Sequence, residues 1–199
     1  MPNTIYKNIR NKLKFGDLVL FSSRGFVPAL IKLGTLSKWT HIGMVISLPG
    51  FDGKLLFEST GLSKTKTIDG KIKKGVQISL LSSRIEQFKG VIAVRHLNAE
   101  ITEQMFHNFE RFRLEVQDRA YEKNLLDLLS AAIDIPFLPM LRGKPNLKTI
   151  FCSELIAEAY MVMGLLPYNK FLPSDEYTPA DFTNIKLINA SLSSLIYIK

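Results

Sequence analysis

In "THIGMVI", residues 40–46, Ile42, Met44 and Ile46 alternate with His41, Gly43 and Val45. A two-residue period puts the large apolar side chains on one face and the histidine on the other, the pattern of a β-strand. That reading organises its surroundings. "FGDLVLF" (15–21) before it is a strand bounded by Gly16-Asp17 and Ser22-Ser23. "KLLFEST" (54–60), after the turn "PGFDG", is its hairpin partner. "GVQISLL" (75–81) and "GVIAVRHL" (90–97) are two more β-branched runs. Residues 26–34, "FVPALIKLG", read as a short helix with a glycine stop. The first half is therefore mainly antiparallel β.

The period then changes. Ile101, Met105, Phe109, Phe112 and Val116 recur at spacings of four, four, three and four, one face of an amphipathic helix. A second helix is expected over 124–133, then a loop with Pro136, Pro139 and Pro145. "TIFCSELIAEAY" (149–160) opens a helix that runs to Gly164, with Pro167 beyond it. The tail is turn-rich. Strands first and helices after give an α+β fold, a small antiparallel sheet packed against helices, in a single domain over 1–199. Repeats, heptads and a glycine-rich phosphate loop are absent from the sequence.

The 199 residues suffice for one real core, and a 46% hydrophobic content favours folding over disorder. A single cysteine excludes a disulfide framework and a multi-cysteine zinc site, and fits a reducing compartment. The first twenty residues lack the apolar segment of a signal peptide, and no run approaches the roughly 18 apolar residues of a membrane span. A soluble cytoplasmic protein, peripheral to membranes if it meets them, is expected. The net charge of +8 favours anionic partners without choosing among them.

Cys152, the lone cysteine, falls in the first turn of its helix. There the positive end of the macrodipole and the free N–H groups favour thiolate, the nucleophilic form, and suit an oxyanion. Lone cysteines are more often packing residues, so a base decides the matter. His107 lies off the apolar stripe of its helix and reads as solvated; His96, beside Arg95, reads as a surface or edge histidine. His41 is the candidate base, with Gly43 expected to remove bulk beside its ring. Glu58, on the partner strand, is the candidate orienting acid, although Asp17, Asp52 and Asp69 are also available.

"GDLVLF", "WTHIGMVI", "FEST" and "FCSELIAEAY", in that order, together resemble the permuted branch of the NlpC-type papain-like cysteine hydrolases, the YiiX-like group. "AYEKNLLDLL" (120–129) and "LPSDEYTPADF" (172–182) extend the resemblance over roughly residues 15 to 182. In that branch the histidine, on an early strand, precedes the cysteine, on a later helix. The resemblance implies a circularly permuted papain-like fold. It also implies a triad of Cys152 as nucleophile, His41 as general base and Glu58 as orienting acid, with Tyr121 near the site. Thr40 and Phe151, the chain neighbours of His41 and Cys152, are expected with Tyr121 at the substrate. No metal and no cofactor are expected.

The reaction expected is acyl transfer or hydrolysis of an amide or ester, through a thioester, on a peptide, isopeptide or lipid acyl substrate. "IDIPFLPMLRG" (133–143) holds Ile135, Phe137, Leu138, Met140 and Leu141 in a loop; it either caps the core or lines an acyl groove. "LSKTKTIDGKIKKG" (62–75) places Lys64, Lys66, Lys71, Lys73 and Lys74 between strands, a solvated loop or an attraction to an anionic membrane surface. Without an aromatic platform or recognition helix, no nucleic acid is expected. The alternative function is a catalytically silent papain-like module that binds lipid or a protein partner.

Overall fold

The computed structural model describes residues 4–23, 37–61, 64–117, 152–168 and 172–199. The helices expected over 26–34 and 124–133, the loop over 133–143, and Tyr121 and Phe151 lie outside the described residues.

Five long apolar runs and one short one build a six-stranded sheet. The strands are β1 (Leu18–Ser23), β2 (His41–Ile46), β3 (Leu55–Thr60), β4 (Gly75–Leu80), β5 (Gly90–Arg95) and β8 (Ile196–Tyr197), in the order β4-β3-β2-β1-β5-β8. Every neighbouring pair is antiparallel. A separate two-stranded ribbon joins β6 (Leu97–Asn98) to β7 (Ser191–Leu192). The short tail strands have too few residues for a periodic signal.

The sheet is covered on both faces. Even-numbered residues of β1 and β2 (Leu18, Leu20, Ile42, Met44, Ile46) and Leu55 and Phe57 of β3 share one apolar cluster. Phe109, Phe112 and Val116 of helix α3 (Glu103–Val116) pack into it, as do Leu155, Ile156, Ala159 and Tyr160 of helix α4 (Cys152–Val162). Val19, Phe21, Val45 and Leu56 face the other way. They are covered by Tyr6 of helix α1 (Thr4–Ile9), by Leu81 and Ile85 of helix α2 (Leu81–Gln87), and by Ile198 of the tail. Burial on both faces explains why β1 to β3 are nearly continuous apolar runs.

Thr102 caps α3, its hydroxyl accepting from the Met105 N–H at 3.2 Å. Helix α4 ends as expected at Gly164, whose φ of +74° allows paired bonds from Leu165 N–H to Tyr160 O (2.8 Å) and from Gly164 N–H to Met161 O (2.9 Å). The Tyr160 hydroxyl donates to Gly16 O at 2.7 Å, tying α4 to the turn before β1.

Candidate functional site

The register of β2 on β3 pairs Met44 with Phe57 and Val45 with Leu56. Carried one step further, it sets Glu58 across from Gly43, with His41 at the diagonal position on the same face. Diagonal cross-strand neighbours are within reach of long side chains. His41 Nε2 and Glu58 Oε2 meet at 2.5 Å. Gly43 lies on the same strand face as His41, and its missing side chain leaves room for a neighbour across the sheet. A Cβ there would lie 2.8 Å from Leu56 Cδ1, so the missing side chain accommodates Leu56.

Cys152 is the first described residue of α4 and is buried, as are His41 and Glu58. While Nε2 meets Glu58, the His41 ring also lies close enough to Cys152 for its charge and a side-chain hydrogen bond to act on the thiol. The backbone N–H groups of Ile42 and Ser153 also favour the charged form of the sulfur. Burial, the largest influence on this thiol, opposes ionisation; the charge and hydrogen bond of His41 and the two backbone N–H groups outweigh it, so Cys152 ionises below its ordinary range. Burial likewise opposes protonation of His41. The Cys152 charge and hydrogen bond, followed by those of Glu58, overcome it and lift the imidazole to about 9. Burial would raise Glu58, but the Arg84 guanidinium and the His41 contact hold it down at about 2. The arrangement thus favours a thiolate–imidazolium pair braced by a carboxylate.

Two residues that sequence reasoning missed complete the surroundings of Glu58. Arg84 Nε of α2 donates to Glu58 Oε1 at 2.9 Å and to Oε2 at 3.2 Å. Gln77 Nε2 of β4 donates to Oε1 at 3.0 Å. Gln77 stands directly opposite Glu58 in the β3–β4 ladder, so that register was the one available sequence signal for it. Arg84 lies 26 residues from Glu58 and had no local signal.

The remaining candidates resolve as follows. Asp17 is buried and accepts from Lys14 N–H, Leu97 N–H and His96 Nδ1, at 2.9, 2.8 and 2.7 Å. It is committed to stitching β1 to the strand end at Leu97. His96 is consequently a half-buried partner of Asp17 and not a free edge residue. Asp52 is exposed, and Asp69 bonds Thr67 and Lys71. Of these carboxylates, Glu58 alone meets His41. His107 is exposed, as expected. Thr40 is adjacent to His41, yet its hydroxyl is spent on β1, accepting from Ser23 N–H (3.1 Å) and donating to Phe21 O (3.3 Å). In the lysine loop Lys64, Lys66, Lys71 and Lys74 are exposed, whereas Lys73 donates to Gln117 O at 3.0 Å.

No protein-family model and no curated protein matches the sequence. Among solved structures, the chain is similar to a protein described as metalloprotein YiiX from Escherichia coli O157:H7, at 15% identity. The match has a TM-score of 0.53 and covers 94% of this chain and 97% of that one. The chain therefore has a YiiX-like fold.

Proposed function

We propose that this chain is a cysteine-dependent hydrolase or acyltransferase of the permuted papain-like, NlpC type. The observation that carries the reading is the 2.5 Å contact between His41 and Glu58, with the lone thiol of Cys152, on helix α4, set against the same imidazole. The order of histidine before cysteine agrees with the permuted branch.

In this mechanism His41 holds the thiol proton, and the Cys152 thiolate attacks the carbonyl carbon of an amide or ester. N–H groups of the first turn of α4 receive the oxyanion. As the C–N or C–O bond breaks, His41 delivers its proton to the leaving amine or alcohol, leaving a thioester on Cys152. Water, or an acceptor hydroxyl or amine, gives a proton to His41 and attacks the thioester. The acid or the transferred acyl product leaves, and the thiolate–imidazolium pair is restored. Glu58 keeps the ring oriented throughout. The substrate class is a peptide, isopeptide or lipid acyl group, and the exposed lysines of residues 64–74 suit an anionic membrane surface.

The name of the YiiX neighbour raises a metal, and the donors here do not fit one. Among the described residues no group of three or more His, Cys, Asp or Glu side chains is disposed to hold an ion. Glu58 spends both oxygens on Arg84, Gln77 and His41, and His41 spends Nε2 on Glu58. No step above uses a metal.

The silent-module reading is favoured by one observation: Cys152 and His41 are only 7% and 9% exposed. Turnover of chromogenic acyl esters of graded chain length and of fluorogenic peptide amides decides between the two. Hydrolysis of one class that disappears in Cys152→Ala is expected. The same rate in the variant as in the wild type would rule the enzyme reading out.

A further inference from the structure

We propose that Arg84 is a positioning residue of this site: through Glu58 it fixes the His41 ring and supplies the countercharge that lets Cys152 and His41 be charged together. The inference rests on the cysteine-hydrolase reading above and adds a residue to it.

The geometry is specific. The groups facing Glu58 are His41 from β2, Gln77 from β4 and Arg84 from α2; His41 in turn faces Cys152 of α4. Four contacts hold the two carboxylate oxygens, two of them from Arg84 Nε. The carboxylate cannot turn without breaking several of them. The guanidinium is itself fixed, lying 5.0 Å from the Phe21 ring and 5.5 Å from the Phe88 ring. Phe21 also lies 5.3 Å from the His41 ring, so one aromatic side chain walls both cations.

Charge counting gives the functional consequence. Thiolate, imidazolium, carboxylate and guanidinium alternate in sign and sum to zero. All four residues are buried, where a net charge is costly. Without Arg84 the charged pair and Glu58 would carry a net negative charge. Every proton affinity in the set would rise, and the thiolate would form only at higher pH. Gln77 adds a second sign of organisation around Glu58. Its Oε1 is buried without a hydrogen-bond partner while its Nε2 serves the carboxylate. An orphaned buried acceptor is costly, and an apolar side chain at this position would avoid that cost.

The test is an ultraviolet titration of the Cys152 thiolate, with melting temperature recorded in parallel, on wild type, His41→Ala, Arg84→Met, Arg84→Lys and the double variant Glu58→Gln/Arg84→Met. Arg84→Met should move thiolate formation up by about one pH unit. Arg84→Lys keeps the charge and loses the two-oxygen contact, so it should recover part of that shift. The double variant restores neutrality and should titrate closer to wild type than Arg84→Met does. Should Arg84→Met not fold, Arg84→Lys decides alone: its thiolate should form at higher pH than in wild type, and a wild-type titration in it would overturn the proposal. An Arg84→Met protein that melts lower with a wild-type titration would overturn the proposal, leaving Arg84 as a mere anchor for α2. A double variant shifted as far as Arg84→Met would overturn it too. A wild-type midpoint at the ordinary thiol value and indifferent to His41→Ala would instead remove the hydrolase reading, and the role of Arg84 with it.

Discussion

His41 is the residue on which the site turns, because its ring meets the Glu58 carboxylate and lies beside the Cys152 thiol. On the proposed hydrolase reading, in which Cys152 is the nucleophile, His41 its base and Glu58 the orienting group, His41→Ala should reduce turnover nearly as far as Cys152→Ala. Glu58→Gln should cost less, by roughly two orders of magnitude, since an orienting group contributes less than the nucleophile and its base. Steady-state kinetics on whichever acyl donor is turned over checks the ranking. Glu58 also ties the site to stability. Its carboxyl is held at about 2 against an ordinary 4.5, so the folded state binds its proton less readily than the unfolded chain. Its contribution is complete above about 4.5 and is lost as the pH falls towards 2. His41, raised to about 9, has the opposite sign: it stabilises fully below 6.5, and the benefit fades as the pH rises through 9. Melting temperature against pH should therefore drop on the acid side below 4.5 in wild type, with a shallower drop in Glu58→Gln.

At the scale of elements, the end of α4 offers a control that separates fold from chemistry. Gly164 has a φ of +74°, and a Cβ there would meet nothing within 4 Å, so Gly164→Ala carries only a backbone penalty. It should destabilise by about 1 kcal/mol and leave the Cys152 titration unchanged. Denaturant unfolding and thiol titration together test that separation. The same scale explains what was legible in the sequence. β1 to β5 were readable from β-branched runs between turn residues. α3 and α4 were readable from their apolar spacing and glycine stop. Helix α2 was not: "LSSRIEQ" follows β4 with no intervening turn, and Leu80 before it supplies no side-chain cap. Missing α2 meant missing Arg84. His41 and Cys152 were legible as an unusual strand histidine and a helix-opening thiol, and Glu58 as a residue on the neighbouring strand. Their contact, and the commitment of Asp17 to His96 and two backbone N–H groups, depend on strand register and on chain segments distant in sequence.

Among the described residues, helices cover both faces of the sheet, and the candidate site forms where the start of β2 meets Cys152 of α4. Among the described residues no helix is long and apolar enough to cross a membrane. The charge of +8 and the exposed lysines of residues 64–74 frame a test of the membrane-surface proposal. Vesicles rich in anionic lipid should retain the protein at low salt and neutral vesicles should not. Replacing Lys64, Lys66, Lys71 and Lys74 by Gln should weaken retention by about 1 kcal/mol per lysine. Equal retention on both vesicle types would contradict a role for the lysines. The pairing of thiol and imidazole is central to everything proposed for this chain, and a lone cysteine makes it directly measurable. The rate of alkylation of the folded protein, followed against pH in wild type and in His41→Ala, should have a wild-type midpoint well below the ordinary thiol value of about 8.5 and a higher one in the variant. A midpoint near 8.5 in both proteins, or no reaction until unfolding, would contradict it.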